Sequence, residues 1–413
     1  MDTKKLKSRL KRFVHNPFRF LYEITDKVFA EVLFHPRQMI ISHLQRTEKV
    51  HNNRVVFSTI TDTYSCNPKY IYEELNRRGG FDLIWLSSRK KRHTFPQRVR
   101  VMDRFSISGL KAAASARLLI DNGVVFSNYY EKKEGQIHLQ TMHGSLGIKK
   151  LDNAIKLREQ KGKKGRDVIR RESDGTDYVI TNSRFEEEVF RTAFWSRTPM
   201  LRLGHPRTDI LFSQNTGKTD EIRKRLWSDY QIPKKNKIIL YGPTYRLGVS
   251  AESLITDFDL LTEAAKERFK GDFSVLLRLH PNTRDVFFRA LSPNVYDVTD
   301  YPDIQELMLV TDIGITDYSS WIFDYVLMRR PGFLFASDKT AYMKVTGLCY
   351  LPEESPFPVS EDFETLIKRI RSFDEKAYIQ RVEAFLTDKE CVDDGLSACR
   401  AADLITKLTT TVQ

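Results

Sequence analysis

The chain has 413 residues, about two domains by the usual size prior, with 41% hydrophobic and 29% charged residues, which excludes a disordered or collagen-like chain. No uninterrupted apolar run approaches the ~20 residues a bilayer-spanning helix needs, and no apolar segment of signal-peptide type follows the basic N-terminus, so a cytoplasmic protein is expected. The balance of 67 Lys and Arg against 54 Asp and Glu gives +13, clustered at 4–12, 89–93 and 156–171, and such clusters attract polyanions.

In chain order, residues 1–50 open on "KKLKSRLKR", where Lys4, Lys5, Lys7, Arg9, Lys11 and Arg12 alternate with Leu6, Leu10, Phe13 and Val14 at helical spacing. A basic amphipathic segment of this kind suits the surface of an anionic membrane. A solvated helix packed on its own domain, or a nucleic-acid contact, would use the same pattern.

From residue 54 onward, β-rich runs alternate with helical patterns. Strands are expected at 54–59, 81–87, 116–121, 137–142 and 178–181, and helices at 67–78, 106–115 and 183–194. The Gly- and Lys-rich stretch 160–176 reads as a mobile loop or binding surface. After a polar break near 205–235 the alternation restarts, with strands expected at 237–244, 273–281, 309–316 and 332–337. This grammar predicts an α/β protein of two doubly wound, Rossmann-like domains at 51–210 and 211–413, with a C-terminal helix free to return to the first domain. Such sheets bind ligands at the carboxyl ends of their strands, and a pair of them binds in the cleft between.

Three motifs carry less than they first suggest. "NTGKT" has the GKT of a P-loop but Phe212 where the earlier glycine belongs. "DFD" at 257–259 precedes a helical run, where carboxylates serve the helix start. "HGSLG" has His143 in place of the first glycine of a serine-hydrolase elbow.

Four places share a pattern of greater weight, an apolar strand followed at once by polar groups: His143-Gly144-Ser145, Thr244-Tyr245-Arg246, His280-Pro281-Asn282 and Thr316-Asp317-Tyr318-Ser319-Ser320. In the last, the serines are expected at the N-cap and first turn of a helix, where unpaired N–H groups and hydroxyls suit a diphosphate. No carboxylate cluster suggests a metal, so no metal site is assigned and metal dependence stays open.

The segments "NPKYIYEEL", "LQTMHGSLGIKKL", "TDYVITNSRFEEEVFRTAF", "GHPRTDIL", "ILYGPTYR", "LRLHPN", "YPDIQELM", "ITDYSSWIFDYVLMRRPGFLF" and "DDGLSACRAADLI" run in order over residues 54–408. Together they resemble the CDP-glycerol glycerophosphotransferase family, the teichoic acid primases and polymerases and their capsule-making relatives. The resemblance implies a GT-B-like fold. It also implies transfer of glycerol phosphate, or ribitol phosphate, from a CDP-alditol to a hydroxyl of a lipid-linked saccharide or growing polyol-phosphate polymer, releasing CMP. It places the protein peripherally at the cytoplasmic face of the cell membrane.

By the same resemblance, His143 is the acceptor base and His280 the second essential histidine, at the donor diphosphate. Arg246, Thr316, Ser319 and Ser320 bind that diphosphate. Gly144, Ser145 and Lys149 lie on the acceptor side, while Asp317, Glu306 and Asp324 touch donor or hold structure. Met142 stands where a tryptophan is usual, and Ser145-Leu146-Gly147-Ile148 replaces the usual Thr-Pro-Leu-Lys, which turns attention to the acceptor.

Two other readings use the same residues. A GT-B glycosyltransferase would take a nucleotide-sugar in the same cleft. A non-enzymatic nucleic-acid or membrane binder would explain the charge, but not two histidines and an arginine at strand ends.

Overall fold

The computed structural model describes residues 34–147, 149–151, 159–160, 162–212, 216–244, 254–255, 257–279 and 292–410. The basic segment Lys4, Lys5, Lys7, Arg9, Lys11, Arg12 and Phe13 therefore lies outside the described residues, as do Arg246 and His280.

Among the described residues, two parallel sheets form. The first contains β1 (His51–Phe57), β2 (Asp82–Ser87), β3 (Val101–Asp103), β4 (Ala116–Asp121), β5 (Ile137–Gln140), β6 (Tyr178–Thr181) and β7 (Met200–Arg202), in the order β3-β2-β1-β4-β5-β6-β7. The second contains β8 (Lys237–Tyr241), β9 (Phe273–Leu277), β10 (Val295–Asp297), β11 (Ile313–Thr316), β12 (Gly332–Phe335) and β13 (Val359–Ser360), in the order β10-β9-β8-β11-β12-β13. Every residue of β9, β11 and β12 is buried, as expected of parallel strands covered by helices on both faces.

Each sheet starts in its middle, winds outward one way, then returns to wind the other way. The direction reverses between β1 and β4 in the first sheet and between β8 and β11 in the second. Such reversals leave crevices at the strand carboxyl ends. The four strands not anticipated, β3, β7, β10 and β13, are the outer strands of the two sheets and no more than three residues long. The run at 309–316 is two elements: Leu309 and Val310 end a helix, and β11 begins at Ile313. Both parts are buried, so apolar periodicity cannot separate them.

The helices that matter for the site are α1 (Cys66–Arg78), α2 (Lys163–Gly175), α3 (Arg184–Arg191), α4 (Ile304–Val310), α5 (Trp321–Tyr325) and α6 (Ser397–Thr410). The stretch expected as a mobile loop is largely helix α2. Val168 and Glu172, one turn apart, are buried, and Glu172 bonds Ser127 and Gln140 at 2.5 and 2.9 Å. Gly165 is buried with them, and the surrounding lysines and arginines mask this three-residue inner stripe in the sequence. Asp257 of the "DFD" segment caps the helix at 258–269, accepting from the Leu260 N–H at 2.9 Å. The C-terminal helix α6 crosses back to the first sheet, where Ala401, Ala402 and Ile405 join a core with Ile71 and Leu75 of α1 and Val55 of β1. No helix among the described residues is long and apolar enough to cross a membrane.

Candidate functional site

His143 is held by bonds that converge from three elements. At the end of β5, Gln140 Nε2 donates to Asp121 Oδ1 at 2.7 Å and Glu172 Oε1 at 2.9 Å, and its Oε1 accepts from the Met142 N–H at 3.0 Å. Asn67, fully buried on α1, donates to the carbonyls of Thr141 and Met142 at 2.8 and 3.1 Å. These bonds hold Met142 at a φ of 47°, a left-handed conformation unfavourable for a side chain of this size. The turn directs the next side chain, His143, toward the end of β4, where its Nδ1 lies 2.6 Å from the Asn122 carbonyl oxygen.

A carbonyl can only accept, so in the neutral ring Nδ1 carries the proton and Nε2 keeps its lone pair. Desolvation in the cleft lowers the His143 pKa from its ordinary value; the bond to Asn122 opposes this, and the charges of Arg207 and Lys149 add to it. His143 is solvent-exposed, so desolvation acts weakly on it and solvent screens the two cations, which push in the same direction. The geometry leaves an uncharged ring with a free basic nitrogen.

The opposite wall comes from the second sheet. Thr316 is fully buried and donates to the Gly242 carbonyl at 2.7 Å, which ties β11 to the end of β8. Asp317 Oδ1 accepts from the N–H groups of Thr244 at 2.8 Å and Tyr318 at 2.5 Å. Thr316 and Asp317 thus shape the loop from beneath, and neither lines the cavity. Tyr318 stacks on Tyr342 with ring centres 3.9 Å apart. Ser320 is the N-cap residue of α5, yet its side chain makes no capping bond. Among the described residues, neither the Ser319 nor the Ser320 hydroxyl has a hydrogen-bond partner. The expected placement of both serines at a helix start is half met: Ser319 precedes the cap, and α5 has five residues, too few for a strong dipole. The hydroxyls, more than the helix, are what this loop offers a ligand.

The loop after His143 joins the walls. An added Cβ on Gly147 would lie 3.1 Å from the Ser320 Cβ, so glycine permits this close approach. Lys149 Nζ lies 3.5 Å from Thr244 Oγ1, and Lys149 forms a β-bridge with Leu348. Lys149, expected on the acceptor side, therefore reaches the second domain. Ser145 accepts from Asn182 Nδ2 at 3.1 Å, and Gly144 has open space around its Cα.

Glu306 and Asp324 each complete a buried ion pair between the domains. On α4, Glu306 Oε1 meets Lys69 Nζ of α1 at 2.8 Å, and its Oε2 accepts from Tyr301 at 2.7 Å and Arg225 at 3.0 Å. Burial opposes its charge, but Lys69, Tyr301 and Arg225 outweigh that and hold its pKa down at about 2. Asp303 takes a second bond from Lys69, at 2.6 Å. Asp324 on α5 receives a two-pronged bond from Arg207, at 2.7 and 3.0 Å, and Arg207 also donates to the Gly144 carbonyl. Both carboxylates are occupied by protein. Lys69, Arg207 and Asn67 were not singled out from the sequence, although they lie inside "NPKYIYEEL" and "GHPRTDIL". Their flanking residues, such as His205, Thr208 and Asp209 around Arg207, give no local sign of burial.

Ile60, Gly123 and Val124, at the β1/β4 reversal, and Tyr318 and Ser320, past β11, line one cavity of about 320 Å³ together with His143, Gly144, Ser145, Gly147 and Lys149. Among the described residues no cluster of His, Cys, Asp and Glu has the form of a metal site.

A family model described as CDP-glycerol:poly(glycerophosphate) glycerophosphotransferase matches residues 40–407. The chain is 30% identical to a teichoic acid poly(glycerol phosphate) polymerase of Staphylococcus epidermidis over 95% of its own length and 53% of that protein, so it spans about half of that relative. It is 30% identical to a teichoic acid glycerol-phosphate transferase of Staphylococcus aureus over 83% of its own length and 90% of the relative. The solved wall teichoic acid polymerase TagF superposes with a TM-score of 0.77 at 30% identity, covering 94% of this chain and 98% of that one. TagF has also been solved as a histidine-to-asparagine variant soaked with CDPG.

Proposed function

This chain belongs to the CDP-glycerol:poly(glycerophosphate) glycerophosphotransferase family, and from that premise we propose that it transfers glycerol phosphate from CDP-glycerol to an acceptor hydroxyl and releases CMP. The observation that carries this reading is the pairing, in one cavity, of a neutral His143 and a Ser320 hydroxyl, where neither His143 Nε2 nor that hydroxyl has a hydrogen-bond partner among the described residues. A hydroxyl nucleophile is weak at neutral pH and gains from a base that is uncharged there and whose pKa lies near ~6.5.

In the proposed step, the acceptor O–H gives its proton to His143 Nε2 as its oxygen bonds to the alditol-bearing phosphorus. The bond from that phosphorus to the bridging oxygen breaks, and CMP leaves with the electron pair. A phosphate leaving group needs little protonation. The main demand is to hold the diphosphate charge, which falls to Ser319, Ser320 and Lys149. Arg246 and His280 join them as proposed donor ligands, since in the chain they come five residues after the end of β8 and three after the end of the neighbouring β9. The basic segment at 4–12 is proposed to hold the enzyme on an anionic membrane, at its cytoplasmic face, where a lipid-linked acceptor resides.

Incubating the purified chain with a lipid-linked saccharide and, in turn, CDP-glycerol, CDP-ribitol and UDP-sugars tests the reading. CMP release from a CDP-alditol, with a matching mass gain in the acceptor, is expected. UDP release would mean a glycosyltransferase, and salt-sensitive polyanion binding without any nucleotide release would mean a non-enzymatic binder.

A further inference from the structure

The chain after His143 does not stay with the domain that carries the histidine. Leu146, three residues on, is fully buried in the hydrophobic core of the second domain, together with Phe323, Tyr350 and Phe357. Among the described residues it is the one buried member of that core that precedes residue 211. Gly144, Ser145, Gly147 and Lys149 line the cavity and Leu146 does not, so its side chain serves the core and not a ligand.

Further contacts hold the same stretch to the second domain. The Tyr350 hydroxyl donates to the Leu146 carbonyl. The Lys150 N–H donates to the Gly347 carbonyl at 3.4 Å, next to the bridge between Lys149 and Leu348. At the other end, the Asn122 carbonyl holds the His143 ring and Asn67 holds the turn before it, both from the first domain. Between the two anchorages lie Gly144 and Ser145, which bond Arg207 and Asn182. Three residues reach at most ~11 Å when fully extended, so this link has little slack to absorb a shift of Leu146.

We infer that Leu146 is a positioning residue for the transfer: anchored in the second domain three residues after His143, it sets the base against the donor wall. The inference rests on the transferase reading above and deepens it by adding a residue that stands outside the cavity. A general base works at a set distance from the proton it takes, and a misplacement of ~1 Å costs on the order of 10²-fold in rate. A close-packed core resists such a shift, because a buried side chain moves only if its neighbours make room. The two anchorages divide the task. Hydrogen bonds within the first domain fix the direction of the His143 ring. The seat of Leu146 fixes how far the ring stands from Ser320, against which the next residue, Gly147, packs so closely that an added Cβ would lie 3.1 Å from the serine Cβ.

The test measures kcat of the full chain by CMP release, with CDP-glycerol and a lipid-linked saccharide both saturating so that changes in affinity do not enter. L146A is expected to lower kcat ~10–100-fold and L146V less, while L146M, which keeps the volume, stays within ~threefold of the unaltered chain. Circular dichroism and urea midpoints show which variants are folded under assay, and L146V carries the test if L146A is not. The decisive arm compares H143A with H143A/L146A and H143A/L146V, followed with radiolabelled donor. If Leu146 acts through His143, its loss after the histidine is gone changes kcat by less than ~twofold. Unchanged kcat in the folded single variants, or a further loss of ~tenfold in the folded double variants, overturns the positioning role and leaves the transferase reading in place. Absence of CMP release by the unaltered chain overturns the transferase reading, and the inference with it.

Discussion

The two walls of the cleft solve different physical problems. On the first domain, Asn67, Gln140, Asp121 and Asn122 spend their hydrogen bonds on fixing one turn and one ring, so that a single nitrogen of His143 is left free in a set direction. On the second, Thr316 and Asp317 fix the loop backbone, and the hydroxyls of Ser319 and Ser320 have no partner among the described residues. A base works through the direction of one lone pair, whereas a diphosphate spreads its charge over many oxygens and is held by a set of uncommitted donors. The first wall therefore shows pre-ordering and the second shows vacancy of hydrogen bonds.

The sharpest break of this contrast is H143A. It is expected to lower kcat/KM by ~10²–10⁴ while leaving CDP-glycerol affinity near that of the unaltered chain; CMP-release kinetics beside equilibrium dialysis read both, and near-normal turnover would remove His143 from the role of base. Next comes R207M, because Arg207 bonds Gly144 on one wall and Asp324 on the other. Leaving Asp324 buried without its partner is expected to cost about 3–5 kcal/mol in urea unfolding, and an unchanged midpoint would mean that the walls are held together by other contacts.

A smaller effect is expected for S320A. Loss of one donor to the diphosphate should raise the CDP-glycerol KM several-fold, about 1–1.5 kcal/mol, with kcat less affected. The reverse split, a fall in kcat alone, would place Ser320 nearer the reacting atoms than the donor wall suggests. The gentlest test is the pH profile. His143 acts when neutral, so activity should rise as the ring loses its proton, with a midpoint below the ordinary histidine value because its pKa is lowered by desolvation and by Arg207 and Lys149. Replacing Lys149 with Met removes one like charge, stabilises the protonated ring and should move that limb to higher pH. A limb that stays in place would mean that Lys149 and His143 do not feel each other.

Much of the fold is legible in the sequence, for a reason visible strand by strand. The inner strands β1, β2, β4, β8, β9 and β12 are buried enough to read as apolar runs between turn residues. The outer strands are not: β3 and β7 are only half-buried and three residues long, so no run forms. The helix α2 hides for a related reason, since three inward residues, Gly165, Val168 and Glu172, sit among solvated lysines and arginines. The candidate site divides in the same way. His143, Ser319 and Ser320 follow apolar strands and are marked by position. Lys69 and Arg207 look like ordinary surface cations until the domains are placed together.

By itself, then, the sequence determined the alternation of strand and helix, the two-domain organisation it predicts, the polar groups past the strand ends and the family resemblance, because each is a local pattern of burial and chemistry along the chain. Only the tertiary structure decided what those groups face. It gave Glu306 and Asp324 to Lys69 and Arg207, turned Thr316 and Asp317 inward, left Ser320 open, and fixed the His143 tautomer through the Asn122 carbonyl. Partners separated by tens to hundreds of residues share no local pattern, and whether a carboxylate binds a ligand or a neighbouring cation depends on which element folding brings beside it.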